Sequence, residues 1–120
     1  MKSFTASIIL FVIMLLAITI NSIYIDNVTD TLKEMAFHLP QSRNCSEQVA
    51  FIAQYWKNNL DTVSISVNFH ETESITEAIL SMQAYAHSPT SPEFQYAKAK
   101  FSETLSEIAR GEKISISNIL

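Results

Sequence analysis

The sequence predicts an all-α protein, with a single N-terminal transmembrane or signal-anchor helix continuing into a small antiparallel helical bundle. Three observations carry this. An apolar run from Phe4 to Ile25 holds no charged residue, three later segments repeat apolar residues at three- and four-residue spacing, and short turns rich in Pro and Ser separate them. The run defines a first unit, residues 1–25, and leaves residues 26–120 as one extracytoplasmic helical domain, since 120 residues leave room for no more once a targeting segment is set aside.

From Phe4 to Ile20 only Thr5, Ser7 and Thr19 interrupt the apolar residues, and the first charge after Lys2 is Asp26. As a helix rising about 1.5 Å per residue, Phe4 to Ile25 reaches roughly 33 Å, enough to cross a hydrocarbon core of about 30 Å. A cleaved signal peptide has a shorter apolar core, about 7–15 residues, followed by a small-x-small site. Here the nearest such site, Ala17-Ile18-Thr19, lies inside the apolar run. The expectation is therefore an uncleaved anchor that meets membrane lipid through residues 4–25. Lys2 and the α-amino group lie on the short side of the span, which by the positive-inside bias places the N-terminus in the cytoplasm and the C-terminal domain outside the cytoplasmic membrane.

Beyond the span, Ile20, Ile23, Tyr24, Val28, Thr31, Leu32, Met35 and Leu39 keep helical spacing, so the helix is expected to continue to about His38, where Pro40 stops it. Asn44 followed by Glu47 has the form of an N-cap with its reciprocal partner. The helix this opens carries Val49, Ile52, Ala53, Trp56, Leu60, Val63 and Val67 as its apolar stripe. Ser64 to Phe69 and Ile114 to Ser117 also alternate with a period of two, as strands do. An isolated two-stranded ribbon is marginal, and the helical spacing of Leu60, Val63 and Val67 is favoured over it.

One histidine and three carboxylates, His70, Glu71, Glu73 and Glu77, crowd the stretch NFHETESITEAI. Ser74-Ile75-Thr76-Glu77 has the capping-box pattern, and acidic residues just ahead of it suit the positive end of a helix. A helix start at Ser74 is therefore expected, with Ile75, Ala78, Ile79, Met82, Tyr85 and Ala86 facing inward. Ser91 as N-cap with Pro92 at the first helical position opens the last helix, whose inner face is Phe94, Ala97, Phe101, Leu105 and Ile108. Gly111 stands where a left-handed C-cap belongs, and the tail after it offers Ile114, Ile116, Ile119 and Leu120 to dock along the bundle.

Function classes narrow by exclusion. Residues 26–120 carry seven basic against twelve acidic residues, a net charge of −5, without the clustered Lys and Arg that nucleic-acid binding requires. Cys45 has no second cysteine to pair with and no ligand spacing around it, so it reads as a small residue near a helix start. A metal or hydrolytic site around His70, Glu71 and Glu73, helped by His38 or His87, lacks the second histidine of an H-E-x-x-H helix because Ser74 stands there. No catalytic, cofactor-binding or metal-ligating residue is assigned, and no cofactor is expected. The leading reading is a non-catalytic interaction module. The alternatives are that metal or hydrolytic site and a carrier of apolar ligands in a groove between helices.

The whole-chain pattern resembles domain-of-unknown-function family 4363. It combines a short N-terminus, one span, a helix bearing Trp56, the pair His70-Glu71 with Glu77 and Leu80 beyond it, and a terminal motif of Glu112, Ile114, Ser115, Ile116, Asn118, Ile119 and Leu120. The chain has Thr72-Glu73 where that family usually places an apolar-acidic pair. The resemblance implies a small membrane-anchored protein of Gram-positive, often spore-forming, bacteria, encoded near integral membrane proteins. It therefore implies a possible integral membrane partner.

Overall fold

The structure, a computed structural model, describes residues 2–42 and 44–119, with side chains described as far as Gly111. Four helices follow one another: α1 (Lys2–Phe37), α2 (Cys45–Val63), α3 (Phe69–Tyr85) and α4 (Pro92–Ile119). Each packs on its chain neighbours and α4 closes the square against α1, while the diagonal pairs, α1 with α3 and α2 with α4, do not meet. The molecule measures 66 × 22 × 22 Å, so its cross-section is two helices by two. Its length comes mainly from α1, 36 residues long against 19 in α2 and 17 in α3.

The apolar stripes account for this packing. Val49, Ile52, Trp56 and Val63 of α2, Ile75, Ala78, Ile79 and Met82 of α3, and all five inner residues expected on α4 are buried in one core. To these α1 adds Ile25, Val28, Leu32 and Ala36. The three buried threonine hydroxyls stay within their own helices, Thr29 donating to Asp26 O, Thr72 to Phe69 O and Thr104 to Lys100 O, and no buried side-chain polar atom among the described residues is left unsatisfied. Trp56 is the one large polar-tipped member. Its Nε1–H donates to Thr76 Oγ1 at 2.9 Å, and that hydroxyl donates onward to Thr72 O at 3.0 Å, tying α2 to α3 through the core edge.

Four expectations are corrected. First, α3 begins at Phe69 rather than after Ser74: Asn68 is extended at φ −66°, ψ 154°, and its Oδ1 accepts from Glu71 N–H at 2.9 Å. The acidic stretch is a helix start, as expected, but one displaced by more than a turn, with Glu71 in the first turn and Ser74 well inside. Second, Ser64 to Val67 form a tight turn in which Val67 N–H donates to Val63 O, neither helix nor ribbon, and Ile114 to Ser117 lie in α4. Third, Asn44 is helical in its backbone and makes no side-chain cap, the α2 start being closed instead by Cys45 N–H donating to Ser42 O. Fourth, Gly111 sits inside α4 with no positive φ, so the helix runs through it to Ile119. The docking expected of the side chains of Ile114, Ile116, Ile119 and Leu120 falls outside the described residues. The Ser91 cap forms as expected, its Oγ accepting from Phe94 N–H at 3.2 Å.

The displaced cap gives a direct test. Asn68→Ala is expected to destabilise the fold by about 1 kcal/mol because Glu71 N–H loses its acceptor. Ser74→Ala, inside the helix, should stay within about 0.5 kcal/mol of the parent in the same denaturant titration. The reverse ranking would restore Ser74 as the cap.

Candidate functional site

Two features of this fold have the exposure and chemistry to engage something outside the chain: the projecting part of α1 and the grooves between helices. The first is the larger. Seven consecutive residues, Ile8 to Met14, are each between 47% and 67% exposed, and because successive residues turn by about 100° they cover every side of the helix. A helix buried in a soluble core hides at least one face. Here only 11% of the most apolar 18-residue window, of mean hydropathy 2.6, is buried.

The polar atoms of this segment are handled locally. The Ser7 hydroxyl donates to Ser3 O at 2.9 Å and the Thr19 hydroxyl to Leu15 O at 2.8 Å, so both are satisfied by the helix that carries them. An α-helix that also satisfies its own hydroxyls presents no polar demand to an apolar solvent. This one is long and apolar enough to cross a membrane.

Between α3 and α4 lies an open groove of about 580 Å³. The small residues Ala78 and Ala97 form its floor, and Glu77, Glu93, Tyr96 and Lys100 stand along its walls. A second, shallower groove runs between α1 and α4 past Asp30, Lys33 and Lys98. Both are mixed in polarity. They suit contact with a protein surface better than enclosure of an apolar molecule, which needs a largely closed, apolar wall.

The histidines and carboxylates singled out in the sequence do not converge. His70 and Glu73 are exposed and Glu71 half-buried at the start of α3, whereas His87 lies just past its other end, about 26 Å away along the 17-residue helix. His38 is at that far end too, where α1 stops, and pairs with Glu34 at 3.7 Å on the surface. Among the described residues no three His, Cys, Asp or Glu side chains are grouped to hold a metal ion. Glu77 points to the α3/α4 groove instead.

Cys45 is free and fully buried where α2 begins. Burial pushes its thiol pKa up from the ordinary 9.0, and the positive charge of Lys98 draws it only part of the way back. The thiol therefore stays neutral and a poor nucleophile at physiological pH. Alkylation of the native chain by iodoacetamide is expected to be slow and to become fast on unfolding. Since the folded pKa is raised, the associated stability is present in full below 9.0 and lost as pH rises through the folded value. The stability gap between the parent and Cys45→Ala should accordingly narrow at alkaline pH, and a gap that widens there would contradict the burial.

Periodicity did not single out the deep core position of Ile25 or the exposure of Ile65 and Phe69, and Ile20, Ile23 and Thr31 of the α1 stripe and Tyr85 of the α3 stripe, expected to face inward, are exposed. No family model, curated protein or solved structure matches the chain.

Proposed function

We propose that this chain is a membrane-anchored, non-catalytic interaction module. In this reading α1 crosses the cytoplasmic membrane with its N-terminus inside and the bundle stands outside. The observation that carries it is the apolar surface on every side of α1 before the bundle begins, which in water would be a large unpartnered patch and in lipid is solvated. The bundle contributes two open grooves of mixed polarity, the surfaces through which an integral membrane partner would be engaged. Membership of family 4363 belongs to the same proposal and rests on the sequence motif.

The metal or hydrolytic reading around His70, Glu71 and Glu73 has less support, because His70 and Glu73 face solvent, Glu71 is half-buried and enters the cap only through its backbone N–H, and no three such side chains gather among the described residues. The carrier reading has less support because the Phe and Met residues on which it rests, Phe94, Phe101 and Met82, fill the core.

Membrane fractions washed in alkaline carbonate test the anchor, and enzyme reporters fused after Leu120 test its orientation. The chain is expected to stay in the pellet, with activity only from the reporter that works outside the cytoplasm. Activity only from a cytoplasmic reporter would reverse the orientation, and release into the carbonate wash would remove the anchor. Crosslinking followed by capture from detergent-solubilised membranes then identifies the partner.

A further inference from the structure

Resting on the membrane reading above, we propose that the turn between α2 and α3 is a second membrane contact, inserting Ile65 and Phe69 into the interfacial zone of the same bilayer that α1 crosses. The first support is position. α1 and α2 are antiparallel, and the Tyr24 hydroxyl, donating to Asn59 Oδ1 at 2.6 Å, fixes their register. Four residues beyond Asn59 is Val63, and four residues before Tyr24 is Ile20, each about 6 Å toward the anchor end. The α2–α3 turn therefore lies level with Ile20 or beyond it. The other two connections, between α1 and α2 and between α3 and α4, are at the far end.

The second support is chemistry. Ile65 is 83% exposed and Phe69 is 77% exposed. The nine residues from Thr62 to His70 carry no Asp, Glu, Lys or Arg. Some exposed large apolar side chains elsewhere on the bundle stand beside charged ones, as Leu80 does near Glu77 and Tyr96 between Glu93 and Lys100. Leu80 and Tyr85 also share an uncharged segment, but they are only 58% and 41% exposed and lie along α3, whereas Ile65 and Phe69 flank the end turn itself.

The third support is length. A hydrocarbon core of about 30 Å takes about 20 residues of helix, Phe4 to Ile23 if the span begins at its first large apolar residue. Burial within the bundle already begins at Ser22, and the turn reaches the level of Ile20. A span that fills the core therefore draws the tip of the bundle into the bilayer surface. Large apolar residues are what that tip exposes, and lipid is the occupant that covers them. The bundle is thereby held at two points on the membrane rather than swinging from one helix, with its grooves at a defined tilt to a partner in the same membrane.

The test uses the full chain in phosphatidylcholine vesicles that contain phosphatidylcholine spin-labelled close to the headgroup. Because Cys45 is buried, an environment-sensitive thiol fluorophore can be placed at one introduced cysteine at a time: Ile65→Cys or Phe69→Cys at the tip, Ile13→Cys in the span and Thr90→Cys at the far end. The expected result is blue-shifted emission at Ile65→Cys and Phe69→Cys, lost to the shallow quencher, with Thr90→Cys unshifted and unquenched. Tip labels that behave like Thr90→Cys while Ile13→Cys remains blue-shifted would overturn the second contact and leave the anchor standing. An Ile13→Cys label that is itself unshifted would remove the membrane reading, and this proposal with it.

Discussion

Trp56→Ala is expected to lower the stability of the bundle by about 3–5 kcal/mol, the range for removing a fully buried large aromatic side chain. Trp56 is only 4% exposed, and it lies among Ile52, Ile79 and Met82 in a core four helices share. Deleting the ring leaves a cavity between α2 and α3 and strips Thr76 Oγ1 of its donor. Against the roughly 5–15 kcal/mol that holds a typical domain together, the loss is large enough to leave much of the chain unfolded or degraded. Trp56→Phe separates the two contributions. It keeps most of the packing but removes the indole N–H, and because the Thr76 hydroxyl still donates to Thr72 O the cost of the hydrogen bond should be about 1 kcal/mol. Denaturant titration of the full chain in detergent micelles, followed by circular dichroism, measures both. A Trp56→Ala midpoint equal to the parent's would mean that the ring is not a core member, and loss of a co-purifying partner by a normally folded variant would make it a binding residue instead.

Two carboxylates in the middle of α1 are expected to release the chain from the membrane. Ile9 and Ile13 lie one turn apart on the same side of the helix, 53% and 55% exposed. An acidic residue at the centre of a span costs about 2.5–3.5 kcal/mol on insertion scales, so Ile9→Asp with Ile13→Asp removes roughly 5–7 kcal/mol from the insertion free energy. Each apolar residue of the span returns only about 0.3–0.6 kcal/mol, so the remaining ones are too few to absorb the loss. The double variant should appear in the alkaline-carbonate supernatant or be degraded, while Leu80→Asp, on the exposed side of α3, should leave both membrane retention and folding unchanged. Retention of the double variant in the pellet would contradict lipid as the solvent of α1.

The stripes of α2, α3 and α4 were legible because each helix buries one face, and a side chain every three or four residues along that face is a pattern in the sequence itself. All five inner residues of α4, from Phe94 to Ile108, are buried as their spacing requires. The helix starts were less legible because short capping signals are degenerate. Asn68-x-x-Glu71 and Ser74-x-x-Glu77 have the same form, and both lie ahead of apolar residues. The structure uses the first, which brings Thr72 into the core as an extra inward-facing turn and lets the Val63–Val67 turn close directly onto the helix. Gly111 shows the same competition in reverse. Glycine in a helix costs about 1 kcal/mol relative to alanine, less than abandoning the turns that follow it. For the His and Glu cluster the sequence showed proximity along the chain, whereas a site needs convergence in space, and a 17-residue helix sets His70 and His87 at opposite ends.

What the sequence by itself determined is the number and type of elements, their antiparallel order and most of the core, because apolar periodicity, proline breaks and short turns act locally. Tertiary structure alone decided two things. One is adjacency: the α2 stripe with Trp56 does not say which helices flank it, and α2 lies diagonal to α4, between α1 and α3. An amphipathic stripe states which side of a helix is buried, and in a square bundle every such side sees two neighbours and a diagonal. The other is where α1 passes from exposed to buried. Ile20 is exposed and Ile25 is 1% exposed, yet both belong to one uninterrupted apolar run. Hydropathy reads an exposed apolar surface and a packed one alike, and only the packing of α2 and α4 against α1 separates them.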